Sequence, residues 1–246
     1  MEAPFLADAK AGAQLKQYFA DPNEENWQRY TGGLESVVRL ITMAPERAGA
    51  LAFISALTKK GITVSIGHTT ADAETTHAAA EAGATHVTHT FNAQTPLNHR
   101  APGVPGAALV DDRLQCEVIS DGIHLHPDIV KLIIRTKGKE KLVAITDAME
   151  AAGMPDGQYQ LGGQEVFVHE GAARLKDGTL AGSTLTMIRA FQNLIRFGAT
   201  PEEAALMTTK TPALSIGNEE LGEIELGAPA IFSRFDENYA FKGTVG

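Results

Sequence analysis

The chain has 246 residues, room for one large domain with a substantial core or for two small ones. Lys+Arg 21 against Asp+Glu 30 gives a net charge of -9, and the basic residues do not cluster, which argues against a nucleic-acid or anionic-membrane partner. The single cysteine, Cys116, excludes an internal disulfide framework and fits a reducing cytoplasm; no run approaches the roughly 20 apolar residues of a membrane span, and Met1 is followed by Glu2 rather than a basic leader.

The opening segment, MEAPFLADAKAGAQ, has no preceding strand or cap and is expected to be a loop. LESVVRLITMAP, residues 34–45, predicts a strand, and RAGALAFISALTKKG a helix closed by Gly61. ITVSIGHTT predicts the next strand, and ADAETTHAAAEAG an alanine-rich helix stopped by Gly83. ATHVTHTFNA is a further predicted strand, followed by a Pro/Gly-rich loop over 94–106. QCEVISDGIH reads as a strand with Cys116 as a core thiol, PDIVKLIIRTKG as a helix with Pro127 at its first position, and KLVAITDAM as a strand. From Ala151 to Gly182 the rhythm changes to glycine-punctuated hairpins. Two helices are expected next, TLTMIRAFQNLIRFG and TPEEAALMTTKTPALSIG, the second opened by a capping box of Thr200 and Glu203 with Pro201 between them. The tail from Leu221 looks like antiparallel strands.

Repeated βα units require a parallel sheet buried on both faces, and in a β/α barrel the chemistry sits at the C-terminal strand ends. Here those ends read SIGH (His68), THVTHTFN (His89, Asn92), ISDGIH (Asp121, His124) and AITDAM (Asp147). Neutral imidazoles can hold a divalent cation while a neighbouring carboxylate takes a proton from water, the requirement of a metal-assisted hydrolase. Strand alternation in HVTHTFN puts Val87, His89 and Phe91 on one face and His86, Thr88 and Thr90 on the other, so only one histidine can face a shared site. His89, at the strand end, is the candidate, and His86 is read as structural. His77, in a helix, and His169, in a rim hairpin, are expected to be ordinary surface or interhelix residues, and His126 to sit where a helix begins.

The blocks GHTTAD, THVTHTFNA, PLNHRAPGVPGAAL, SDGIHLHP, ITDAMEAAG and DGTLAGSTLTM, in this order over most of the chain, resemble the N-acetylglucosamine-6-phosphate deacetylase family of the amidohydrolase superfamily. The resemblance implies an α/β fold, a partial (β/α)8 TIM-type barrel over residues 1–217 that lacks its N-terminal strands, with a C-terminal β tail, 218–246, belonging to a small β-sandwich. It implies one divalent metal site, zinc or iron, held by Glu2, His68 and His89; the His-x-His pair of binuclear members is not found. Asp147 would activate water and then protonate the leaving amine. Asn92, Ala93, Arg100 and His124 would contact the sugar phosphate, Gln14 the scissile carbonyl, and Leu180, Ala181 and Gly182 the acetyl and sugar pocket. A phosphate contact from a neighbouring subunit would imply a homodimer. The implied reaction releases acetate and glucosamine 6-phosphate in the cytoplasm. Ala3 stands where the family motif has glycine, and Gln14 where many members have histidine. The alternatives are another amidohydrolase of the dihydroorotase or deaminase kind, disfavoured by NHRAPG and by the lack of a strand-end lysine, or a ligand-binding chain without turnover.

Overall fold

A computed structural model describes all residues from Met1 to Gly246. After an opening segment, the elements run α1 (Glu24–Thr31), β1 (Leu40–Met43), α2 (Ala50–Lys59), β2 (Thr63–Ile66), α3 (Ala73–Ala82), β3 (His86–Val87), α4 (Gly103–Val110), β4 (Gln115–Ile119), α5 (Pro127–Lys141) and β5 (Leu142–Ile145). The five strands form one parallel sheet in sequence order, with Ile41 opposite Val64, Ser65 opposite His86 and Val118 opposite Ala144. A parallel sheet must be covered by its crossover helices, so the strand residues that face the helices are apolar, while Thr42, Ser65, His86 and Glu117 alternate with them, buried on the other face. Ile41, Met43, Val64, Ile66, Val87, Cys116 and Val118 form the core with Phe53, Ile54 and Leu57 of α2 and Ile133 of α5. Burial of Cys116 pushes its thiol up to about 11, as befits an inert core residue.

Three antiparallel strands, β6 (Gly157–Leu161), β7 (Gln164–His169) and β8 (Ala172–Arg174), make the expected rim sheet with a small core of its own around Val166, Val168 and Ala181. Helices α6 (Met187–Arg196), α7 (Pro201–Thr208) and α8 (Lys210–Ser215) return to the barrel, and β9 (Phe232–Phe235) pairs antiparallel with β10 (Phe241–Val245). The tail rests on α6 through Phe235, whose ring lies 4.6 Å from Phe191, and through a hydrogen bond of 2.7 Å from Gln192 Nε2 to the Tyr239 carbonyl.

Several elements differ from expectation. The opening segment is not a free loop: the Thr42 and Ala44 amides donate to the Met1 and Phe5 carbonyls at 2.9 Å, so residues 1–5 run along the outer edge of β1. The strand predicted over 34–45 contracts to Leu40–Met43, because a 3-10 turn at Glu35–Val37 precedes it. The strand predicted in ATHVTHTFNA contracts to His86–Val87. Beyond Thr88, residues His89, Phe91 and Ala93 take φ of 29, 80 and 49°, and the alternation assumed for this stretch breaks down. TPEEAALMTTKTPALSIG is two helices, since Thr209 leaves helical geometry with φ -133 and ψ -84. The Thr200/Glu203 capping box is present, and His126 is the N-cap of α5, its ring accepting the Asp128 amide.

Candidate active site and metal centre

The C-terminal ends of the parallel strands open into a cavity of about 510 Å³. Glu2, His68 and His89 meet on its floor. Glu2 Oε1 lies 2.8 Å from His68 Nε2 and 3.0 Å from His89 Nε2, and the two ring nitrogens are 3.0 Å apart. Each is delivered by a different segment: Glu2 by the edge segment along β1, His68 by the turn after β2, and His89 by the turn after β3.

Both histidines have left-handed backbones, φ 46° at His68 and 29° at His89, as does Asp147 at 49°. Such conformations strain a side-chain-bearing residue and persist only where surroundings fix them. For His68 the fixing contacts are specific. Glu46, just past β1, accepts the Thr70 amide at 2.6 Å and both the Thr69 and Thr70 hydroxyls. Gly67 precedes the ligand because any Cβ there would stand 2.7 Å from Thr88 Cβ and 2.8 Å from Thr42 Cγ2. For the second turn, the buried Gln94 side chain accepts the Phe91 amide and donates to the Thr88 carbonyl, folding residues 88–94 on themselves.

The donor set suits a divalent cation. His68 Nδ1 donates to the Lys10 carbonyl at 2.7 Å, which leaves the Nε2 lone pair directed at the cluster. Two imidazole nitrogens and a carboxylate oxygen, all within 4.8 Å of one another, are a donor set that could hold a divalent ion. Tetrahedral bonds of roughly 2.1 Å separate donors by about 3.4 Å, so this triangle needs to open by only a few tenths of an ångström. Burial drives Glu2 toward the neutral acid, but hydrogen bonds to His68 and His89 outweigh it and hold the carboxyl well below the usual range. Conversely, burial works against a charge on His89, and Glu2 overcomes it, raising the imidazole above its ordinary value. Gln14 Nε2 donates to Glu2 Oε2 at 2.5 Å, so its amide orients the acidic ligand from behind.

Asp147 lines the same cavity, half-buried and without a hydrogen bond to its carboxylate. Burial, then the Glu2 charge, raise its pKa, while His89, His124 and His68 pull the other way. It does not cap a helix; its carbonyl accepts the Ser183 amide at 2.7 Å, and Met149 N donates to the Ser183 carbonyl at 2.9 Å. Gly182 lets that pairing close: its φ is 62°, and a Cβ would meet the Asp147 carbonyl at 3.1 Å. Leu180 and Gly182 consequently form one wall of the cavity, with Ala181 buried behind them.

Asn92, Ala93 and His124 also face the cavity. His124 is held by Asp121, which accepts its Nδ1 at 2.6 Å and the Ile123 and His124 amides. Arg100 is exposed in its loop and does not line this cavity. His86 lies lower on β3, buried and apart from the cluster; burial and Lys141 hold its pKa near 4. His77 is an interhelix residue, its ring on α3 pairing at 2.8 Å with Asp111 at the end of α4.

Sequence reasoning passed over Lys10, Tyr18, Met149 and Leu161, which also line the cavity, and Glu117 beneath it. Glu117 stands inside the barrel on β4, where its carboxylate accepts from Ser65 at 3.0 Å, Ser65 accepts from Thr88 at 2.6 Å, and Thr88 meets Thr42 at 3.0 Å. Burial pushes its pKa up to about 7. An acidic residue inside the buried run QCEVI was the visible signal. Lys10 left none, because it lies in irregular backbone without a period.

Comparison with known proteins agrees with this geometry. The model of the amidohydrolase family matches residues 13–243. The chain belongs to the amidohydrolase family. Among curated relatives of this amidohydrolase, it is 38% identical to N-acetylglucosamine-6-phosphate deacetylase of Lysinibacillus sphaericus and 40% identical to that of Bacillus subtilis, over 100% and 94% of its length. It spans 64% and 59% of those two proteins. It is 39% identical to N-acetylgalactosamine-6-phosphate deacetylase of Escherichia coli O157:H7, covering 94% of this chain and 61% of that one. Its fold matches a mutant N-acetyl-D-glucosamine-6-phosphate deacetylase from Mycobacterium smegmatis, solved in complex with N-acetyl-D-glucosamine-6-phosphate, with a TM-score of 0.93 at 37% identity, over 99% of this chain and 65% of that one. The barrel is thus of the amidohydrolase kind. No helix is long and apolar enough to cross a membrane.

Proposed function

We propose that this amidohydrolase removes the acetyl group of N-acetylglucosamine 6-phosphate, giving acetate and glucosamine 6-phosphate in amino-sugar catabolism. The observation that carries the reading is the Glu2, His68 and His89 triangle, with the unbonded Asp147 carboxylate in the same cavity. Glu2, His68 and His89 would hold one divalent ion, zinc or iron. When bound, the ion supplies Lewis-acid polarisation of the acetyl carbonyl and lowers the pKa of water.

The chain's own residues supply the rest. Asp147 takes a proton from the attacking water, whose oxygen bonds to the acetyl carbon; as the carbon–nitrogen bond breaks, Asp147 returns the proton to the leaving amine. Gln14 fixes Glu2 with one N–H of its amide and keeps the second N–H for the scissile carbonyl. Asn92, Ala93, Arg100 and His124 are read as the sugar-phosphate contacts, Arg100 from the exposed loop where a second subunit of a homodimer could meet it. Leu180, Ala181 and Gly182 are read as the acetyl and sugar wall, and the cytoplasm as the compartment. Residues 1–217 are read as the hydrolase barrel and 218–246 as the C-terminal β tail of a small β-sandwich.

The cavity volume is in the range of small-molecule sites and admits a phosphorylated amino sugar. The nearly equal identity to an N-acetylgalactosamine-6-phosphate deacetylase favours a second reading, the epimeric sugar at C4. Acetate release from both sugar phosphates, measured together with metal content, tests both. Metal-loaded protein is expected to turn over at least one; a folded, metal-loaded sample releasing no acetate from either sinks the enzymatic reading.

A further inference from the structure

Lys10 occupies a position that the metal and the general base leave unexplained. It ends the 3-10 turn Asp8–Lys10 in the segment after Glu2, and it is half-buried at the wall of the cavity. Its backbone carbonyl accepts His68 Nδ1 at 2.7 Å, and its side chain donates from Nζ to the Gln94 carbonyl at 2.8 Å. Gln94 directly follows Asn92 and Ala93, which face the cavity, and the Ala93 carbonyl accepts the Thr69 amide at 3.1 Å. The ammonium therefore stands where the turns after β2 and β3 meet.

Its charge is the telling feature. Lys10 is the cavity's only lysine or arginine, and no carboxylate neutralises it; the Gln94 carbonyl is its sole side-chain partner. An ammonium on the cavity wall with no carboxylate beside it is complementary to an anionic ligand. One of its three N–H groups is committed to Gln94, which fixes direction at little further entropic loss and leaves two for an oxyanion. Arg100 cannot fill this place within the chain, since it is exposed in its loop and outside the cavity.

We propose that Lys10 is a substrate-binding residue, the cation that this chain itself sets against the phosphate of the sugar, tethered in place by the Gln94 carbonyl. The inference rests on the proposed phosphorylated substrate, and it makes Lys10 a determinant of specificity for phosphorylated over free N-acetyl sugars. A charge-assisted contact of this kind is worth roughly 10- to 100-fold in affinity.

The experiment compares the full chain with Lys10→Met and Lys10→Arg, each metal-loaded. Calorimetry with glucosamine 6-phosphate and with inorganic phosphate is read beside acetate release from N-acetylglucosamine 6-phosphate and from N-acetylglucosamine. Lys10→Met should weaken both phosphate probes and raise KM for the phosphorylated sugar by roughly 10- to 100-fold, with kcat/KM for the free sugar and the metal content unchanged. Lys10→Arg, which keeps the charge, should recover most of the loss. Equal losses on both sugars, a Lys10→Arg variant as weak as Lys10→Met, or unchanged binding of the phosphate probes overturns the proposal in favour of a loop-fixing role. A wild-type chain that binds the probes but releases no acetate defeats the deacetylase reading alone, and the calorimetry still decides Lys10. A wild-type chain that turns over and is matched by Lys10→Met defeats the Lys10 proposal alone.

Discussion

The lower and upper ends of the same parallel strands obey different rules. In the strand bodies, Ile41, Val64, Val87, Cys116 and Val118 sit in regular extended backbone and are fully buried. At the upper ends, His68, His89 and Asp147 all adopt left-handed backbone, the first two in turns tied by the Glu46 and Gln94 side chains and the third beside backbone pairing with Ser183. β3 shows the contrast within four residues: His86, in the ladder, is buried and idle, whereas His89, past its end, reaches Glu2. The body supplies stability through area removed from water. The rim spends some of that stability on geometry that chemistry requires.

If this division is right, changes at the rim should alter chemistry with little effect on stability. Asp147→Asn keeps the shape of a side chain that makes no hydrogen bond, so turnover should fall by about 10²- to 10⁴-fold while metal content and melting temperature stay at wild-type values. Surviving activity would remove Asp147 as the base. A smaller but sharper contrast is His89→Ala against His86→Ala. The first should lose the bound metal and the thermal stabilisation that added metal confers; the second should keep both, as elemental analysis and melting curves would show. Equal metal loss in the two variants would erase the distinction between strand body and strand end.

Glu117 gives the smallest expected effect and probes the boundary between the regions. Its folded pKa, about 7, lies above the ordinary carboxylate value, so the folded state favours the protonated acid. The stability it contributes is fully present below about pH 4.5 and is lost as pH rises through about 7. Glu117→Gln, neutral at every pH, should therefore match wild type near pH 4.5 and be more stable near pH 8, by on the order of 2 kcal/mol in metal-stripped protein. Denaturation at the two pH values measures it. A variant less stable at both would mean that the Ser65 and Thr88 hydroxyls need a carboxylate, and that Glu117 belongs functionally to the strand body.

The βα alternation and its parallel consequence were legible because apolar runs closed by glycine or capped by Thr200 and Pro201 carry local physical causes. His68 and Asp147 were legible as polar residues ending apolar strands. His89 was singled out by its position at the strand end; the alternation used to set it apart from His86 does not hold past Thr88, where the backbone turns left-handed. The long strand expected before Ala44 failed for a related reason, as β-rich composition does not show where a 3-10 turn interrupts the extension.

By itself, the sequence determined the βα alternation and which polar side chains stand at the strand ends, because period and capping act over a few residues. Only the tertiary structure decided that Glu2 meets His68 across 66 positions and His89 across 87, that Gln14 turns to Glu2, and that Lys10 stands inside the cavity while Arg100 stands outside. Those placements depend on where irregular segments cross and on left-handed residues that redirect a side chain, and neither leaves a period in the sequence to read.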